Sequence, residues 1–198
     1  MTKIAIDIVL LPSDSIMKDI ISLINYSAES VIKLNTNNCL PHISLAMAAV
    51  DQSSVSAISK SLDHLARKVE APSIRMTKTK TNIIDNGKYI SDISIKVTNE
   101  LSKLHLASFE LIQPFIDDDE VNTRMFISPP DVADISTTWV KHYFDNLDNF
   151  NPHITLGEGI VTQLEETVEF TANRLALCHL GSYCTCRKVL FETTLGPV

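Results

Sequence analysis

The sequence predicts an α+β protein built as two pseudo-symmetric lobes of largely antiparallel sheet, with helices outside and a groove between the lobes. Three observations carry this expectation. Short runs rich in β-branched residues alternate with segments of helical periodicity. Hairpin signals outnumber clear strand–helix–strand crossovers. One pentapeptide occurs twice, as Pro-His-Ile-Ser-Leu at 41–45 and Pro-His-Ile-Thr-Leu at 152–156, once in each half of the chain. Residues 1–198 are read as a single domain of two interleaved lobes, with no Gly/Ser-rich linker to divide them.

In chain order, Lys3 to Leu11 reads as a strand stopped by Pro12. Ser13 or Asp14 can cap a helix whose apolar positions, from Met17 to Ile32, extend to about Leu34. Cys39 to Val50 is an apolar run read as a strand, and Ser53 or Ser54 opens a second helix striped by Val55, Ile58, Leu62, Leu65 and Val69. Residues 73–84 alternate as a strand, Asn86-Gly87 is a hairpin turn signal, and Tyr89 to Val97 returns. Asn99 is read as the cap of a third helix reaching about Gln113. A short strand is placed at Arg124 to Ile127, after an acidic run (Asp117 to Glu120) read as a solvated loop. A fourth helix spans 136–147, and Phe150 to Ile160 carries the second pentapeptide in a strand. Thr162-Gln-Leu-Glu165 is read as a capping box for a helix to about Arg174. Leu175 to Leu180 and Tyr183 to Leu195 close the chain as strands joined at Gly181-Ser182.

Composition narrows the function classes. The 198 residues carry a formal net charge of −7, so no basic face is available to coat duplex nucleic acid, although one or two phosphates need only a local donor cluster. The apolar run Ile4 to Leu11 is short, carries Asp7 and ends in Pro12 without a small-residue cleavage site, and no apolar run approaches a bilayer span. The four cysteines, Cys39, Cys178, Cys184 and Cys186, match neither a zinc framework nor a disulfide scaffold and are read as reduced thiols. The expectation is a cytoplasmic monomer that needs no cofactor, metal or membrane.

The pentapeptides carry the chemistry. In a strand, side chains alternate, so His42 and Ser44 share one face while Ile43 and Leu45 share the other, and the same holds for His153 and Thr155 against Ile154 and Leu156. Each strand thus offers an apolar face to its lobe and an imidazole plus a hydroxyl to the groove. Two imidazoles suit attack on a phosphodiester: a neutral one takes the proton of the nucleophile and a protonated one gives a proton to the leaving oxygen. Hydroxyls can donate to the nonbridging oxygens, where charge builds. Neither motif contains the carboxylate or thiolate a metal site adds, so no metal is assigned. The other histidines, His64, His105, His142 and His179, are read as background. Phe150 is a candidate to stack on a nucleobase near the groove mouth, with Tyr89, Phe126 and Tyr183 behind it.

These two His-x-(Ser/Thr) motifs, each ending in Leu and set about half a chain apart, resemble those of the 2H phosphoesterase superfamily. Its members include RNA 2′,3′-cyclic phosphodiesterases once called 2′-5′ RNA ligases and 2′,5′-oligoadenylate phosphodiesterases. The resemblance covers most of the chain and implies that His42 and His153 are acid and base, in that order, and that Ser44 and Thr155 bind phosphate, without a metal. Two departures stand out. Ala46-Met47-Ala48-Ala49 replaces an aromatic-containing stretch after the first motif. Gly157-Glu158-Gly159 replaces a basic residue after the second.

The expected function is therefore metal-independent hydrolysis of a 2′,3′-cyclic nucleotide or related ribose cyclic phosphate to a monoester, with a nucleotide or RNA end as partner. Two alternatives stay open: cleavage of 2′,5′-linked oligonucleotides or cyclic dinucleotides, and a nucleotide-binding module without turnover.

Overall fold

In the computed structural model of the protein, residues 2–83, 89–117, 121–128, 131–145, 147–164 and 166–196 are described. The Asn86-Gly87 turn, residues 118–120 of the acidic run and Glu165 of the expected capping box lie outside them. Ten strands and four α-helices follow one another in the described residues. They are β1 (Lys3–Leu11), α1 (Asp14–Ser22), β2 (Ile24–Asn25), β3 (Ile43–Asp51), α2 (Val55–Ala66), β4 (Ser73–Ile83), β5 (Tyr89–Ile95), α3 (Asn99–Ile112), α4 (Asp134–Lys141), β6 (His153–Gly157), β7 (Ile160–Val161), β8 (Val168–Thr171), β9 (Arg174–Leu180) and β10 (Cys186–Thr194).

They build two four-stranded sheets, ordered β10-β9-β1-β3 and β6-β5-β4-β8, plus a small β2-β7 pair, all antiparallel. The α+β class and the two lobes are as the sequence predicts. The first lobe takes strands from both ends of the chain and the second from its middle, so the lobes interleave. Each pentapeptide lies on the edge strand of its sheet, β3 in one and β6 in the other.

One continuous core joins the lobes. Ile6, Ile8, Ile43 and Leu45 of the first sheet pack with Ile58 and Leu62 of α2, Leu101 and Leu104 of α3, and Ile93, Ile154 and Leu156 of the second sheet. The opposite face of the first sheet (Ala5, Met47 and Ala49) is covered by Val140 of α4 with Met125, Phe126 and Val132. No helix in the described residues is long and apolar enough to cross a membrane.

Several boundaries differ from expectation. The first helix ends at Ser22 rather than near Leu34. Beyond it the chain is drawn to the second motif: Ile24 and Asn25 pair with Val161 and Ile160, the Thr162 N–H donates to the Leu23 carbonyl, and Lys33 bridges Gly157. Tyr26 fastens this segment, its hydroxyl donating to the Leu156 carbonyl (2.8 Å) and accepting from the Leu34 N–H (2.9 Å). The helix expected from Thr162 does not form. Val168 to Thr171 instead extends the second sheet, Phe170 opposite Ile74 and Val168 opposite Met76, because a free strand edge offers a full ladder to a short alternating segment. Thr123–Met125 is a 3₁₀ turn rather than a strand, with the Asn122 side chain accepting from the Arg124 N–H. Thr98, not Asn99, caps α3.

The cysteine expectation is also corrected: Cys178 and Cys186 form a disulfide between β9 and β10, their Cα atoms 5.6 Å apart, while Cys39 and Cys184 are free and buried.

Tyr26 supplies a test of what ends the first helix. Tyr26→Phe leaves a backbone N–H and a carbonyl without their partner and is expected to lower unfolding stability by about 1–3 kcal/mol. The check is urea denaturation, with a lower midpoint at unchanged slope; a midpoint equal to wild type contradicts this role.

Candidate active site

The two pentapeptides adopt the same local structure. In each, the proline has no N–H, and the imidazole that follows turns back on its own backbone. His42 Nδ1 lies 2.8 Å from the Leu40 carbonyl and His153 Nδ1 lies 2.9 Å from the Asn151 carbonyl. A carbonyl only accepts, so both Nδ1 atoms carry the proton, and in the neutral ring Nε2 is the free base. The carbonyls are themselves on tethered chain: the Leu40 N–H donates to the Cys186 carbonyl, and the Pro152 carbonyl accepts from the Ile95 N–H.

Each motif leucine is a β-bulge. Val9 and Ile8 face Ser44 and Ala46, leaving Leu45 as the extra residue, and Asp92 and Ser91 face Thr155 and Gly157, leaving Leu156. Both bulged carbonyls are held by a side chain from elsewhere, Leu45 by His105 Nδ1 of α3 (2.6 Å) and Leu156 by Tyr26. Ile43, Leu45, Ile154 and Leu156 are fully buried in the core. In β3 the bulge shifts the alternation by one residue, so that Ala46, Ala48 and Val50 follow Ile43 and Leu45 into the main core while Met47 and Ala49 face α4.

His42, Ser44, His153 and Thr155 all line one cavity of about 530 Å³, within the usual range for a small-ligand site. Its wall also includes Trp139, Tyr143, Phe150, His105, Tyr183 and Asp92. No Lys or Arg is among the described lining residues. Phe150 is half-buried and stacks flat on His105, ring centroids 4.1 Å apart, so one of its faces is already taken. Of the other aromatic candidates, Tyr89 is exposed and away from the cavity and Phe126 is in the core behind the first sheet.

The electrostatics of the two imidazoles differ. His42 has a side chain only 11% exposed, with Nε2 3.9 Å from Asp7 Oδ2. Burial pushes its pKa down to about 4, against the pull of the Leu40 carbonyl, and a charged His153 lowers it further. His153 is exposed. Asp7, on β1, is fully buried and accepts a 2.6 Å hydrogen bond from Ser44 Oγ, while its Oδ1 meets no donor at hydrogen-bonding geometry. Burial pushes the Asp7 carboxyl up to about 7, more than the Ser44 hydroxyl and the backbone N–H groups of Ala46 and Leu45 pull it down. In the second lobe Asp92 lies opposite Thr155 and accepts from Asn82 Nδ2 at 2.8 Å.

Sequence reasoning did not single out Asp7 or His105. Both carried a signal. Asp7 is the lone charge inside the apolar strand, where only a partner makes burial tolerable. His105 falls on the stripe of Leu101, Leu104, Ser108 and Ile112, the buried face of α3. Burial also lowers its pKa, and its Nε2 has no hydrogen-bond partner. Of the remaining background histidines, His142 lines the cavity and pairs with Asp145, His179 bonds the Met125 carbonyl, and His64 is exposed.

The buried carboxyl makes stability depend on pH in a stated direction. A folded-state pKa raised from 3.8 to about 7 means that the folded protein binds more protons across that window, so stability is lost as pH rises through it. Asp7→Asn is expected to be more stable than wild type at pH 8, by a few kcal/mol at most, and to lose that advantage near pH 4. Chemical denaturation of both proteins at the two pH values checks this; an advantage independent of pH contradicts an ionisable buried Asp7.

No protein-family model matches the chain, and no curated protein matches it in sequence. Solved structures do. TT0787 of Thermus thermophilus is 14% identical and superposes with a TM-score of 0.60, covering 97% of this chain and 98% of its own. Escherichia coli LigT in apo form is 13% identical with a TM-score of 0.51, covering 99% of each chain. LigT complexed with NADP+ is 14% identical with a TM-score of 0.50, covering 98% of each. Identities this low speak to fold, and the agreement runs nearly end to end. The chain has the fold of TT0787 and LigT.

Proposed function

We propose that the protein hydrolyses a nucleoside 2′,3′-cyclic phosphate, or a related ribose cyclic phosphate, to a phosphomonoester by paired histidine acid–base catalysis without a metal. The observation that carries this reading is the matched pair of imidazoles on one cavity, each with Nδ1 committed to its own backbone and Nε2 left for chemistry. A strained cyclic diester already presents its phosphorus to an in-line water. It then needs a base, an acid and donors to the nonbridging oxygens, which the two histidines, Thr155 and Ser44 supply.

The environments divide the labour. An acid with a pKa near 4 is protonated in only about one molecule in a thousand at pH 7. His42 therefore acts as the base that takes the proton of the attacking water. His153, exposed at the cavity wall, is the acid that protonates the departing ribose oxygen. This reverses the roles that the family resemblance implies, because burial at the first motif favours the neutral ring.

The cavity fits a small monoanion. With no Lys or Arg among its described lining residues, it offers nothing to neutralise a string of phosphates, which favours the cyclic nucleotide over longer 2′,5′-linked substrates. The aromatic wall of Trp139, Tyr143 and Phe150 can bury a base. A solved structure of LigT, of the same fold, is of its complex with NADP+; that a nucleotide occupies this cavity is our extension to this chain.

Leaving-group dependence tests the assignment. His153→Ala is expected to lose about 10²–10⁴-fold on a 2′,3′-cyclic nucleotide but far less on a p-nitrophenyl phosphodiester, whose leaving group needs no proton. His42→Ala should be poor on both; the opposite pattern restores the roles of the resemblance. In wild type, kcat/KM should rise with pH through the His42 pKa near 4, because the base must be neutral. Full activity after EDTA treatment is also expected; loss restored by a divalent ion contradicts the metal-free chemistry.

A further inference from the structure

The Ser44 hydroxyl has one proton, and in the structure that proton is directed at Asp7. Ser44 Oγ donates to Asp7 Oδ2 at 2.6 Å, so while Asp7 is a carboxylate this hydroxyl presents only lone pairs to the cavity. An anionic phosphate oxygen there would meet acceptor against acceptor. A proton on Asp7 reverses the chain: the carboxylic acid donates to Ser44 Oγ, and the Ser44 O–H turns to the cavity as a donor. The bond lengths need not change, only the direction in which the protons point.

We propose that Asp7 is the positioning residue that sets the polarity of Ser44, and that an anion binds this cavity together with a proton taken up by Asp7. The inference rests on the proposed function only in taking the anion to be a phosphate. It deepens that reading by making the substrate a proton-coupled ligand.

The surroundings agree. The groups facing Asp7 are His42 and Ser44 of the first motif, Met47 opposite it on β3, Cys178 beside it on β9, Tyr143 after α4, and Cys184 between β9 and β10. None of these is Lys or Arg, and Cys178 is held in its disulfide. His42 is the one of these neighbours able to carry positive charge, and its burial favours the neutral ring. Tyr143 and Cys184 are both pushed up by burial and stay protonated, so they contribute no charge. A carboxylate here has no cation of fixed charge beside it, one oxygen that no donor meets at hydrogen-bonding geometry although the backbone N–H groups of Leu45 and Ala46 lie near the carboxyl, and no access to solvent. Burial pushes the carboxyl up to about 7, which puts both protonation states within reach under neutral conditions. An arriving anion adds negative charge next to Asp7 and favours the neutral acid further.

The test uses the full chain and inorganic phosphate as the probe, read by infrared difference spectroscopy at about pH 8, with and without phosphate. The expected result is a protonated-carboxyl band that grows on phosphate addition, is missing in Asp7→Asn, and grows less in Ser44→Ala, where the relay is cut and only the added charge of the anion acts on the carboxyl. Ser44→Ala also keeps the test decisive if Asp7→Asn fails to fold. Absence of phosphate binding, binding without the band, or an equal band in Ser44→Ala each overturns the proposal. Hydrolysis of cyclic nucleotides is scored separately: a growing band without turnover sinks the proposed function and leaves the Asp7 device standing, and turnover without the band does the reverse.

Discussion

Each of the two imidazoles is held by a hydrogen bond to the carbonyl two residues behind it, and the chemistry of the cavity depends on that bond. A single such bond contributes only about 0.5–1.5 kcal/mol net. Its larger effect is to settle which ring nitrogen carries the proton, so both Nε2 atoms are presented in the same form. The proline of each pentapeptide lacks an N–H, and the isoleucine and leucine lock the strand into the core. Edge strands ordinarily invite unwanted pairing. Here the two edges, β3 and β6, instead border one cavity, and His105 and Tyr26 hold the bulged carbonyls from outside the sheets.

Identical local structures do not give identical chemistry. The first motif sits over β1, whose Asp7 is fully buried; the second sits beside β5, whose Asp92 is partly exposed and satisfied by Asn82. Burial therefore drives His42 and Asp7 both toward their neutral forms, while His153 is exposed to solvent. In the proposed function this difference in neighbours, and not any difference in the pentapeptides, separates base from acid.

Much of this was legible in the sequence. The alternation of Ile43 and Leu45 against His42 and Ser44, and its echo at 153–156, follows from the period of a strand, and all four polar residues line one cavity. β1, β4, β5, β9 and β10 carried strand patterns strong enough to survive tertiary context. What failed did so where tertiary pairing outweighed local preference. The helical spacing from Ala28 to Leu34 lost to contacts with the second motif, and the capping signature at Thr162 lost to the free edge of β4. The Cys178–Cys186 disulfide depends on strand register, which spacing alone does not give. His105 was hidden because its partner, the Leu45 carbonyl, is exposed to it only by a bulge that no side-chain pattern announces.

The central claim is that His42 and His153 act as one unit on one phosphorus. The most direct measurement is a double-mutant cycle in kcat/KM on a nucleoside 2′,3′-cyclic phosphate, comparing His42→Ala, His153→Ala and the double variant with wild type. Groups that act together in one transition state are strongly non-additive. The account predicts that each single substitution costs at least about a hundredfold and that the double variant is little worse than the poorer single. Single losses below about tenfold, or losses that simply multiply in the double variant, would contradict it.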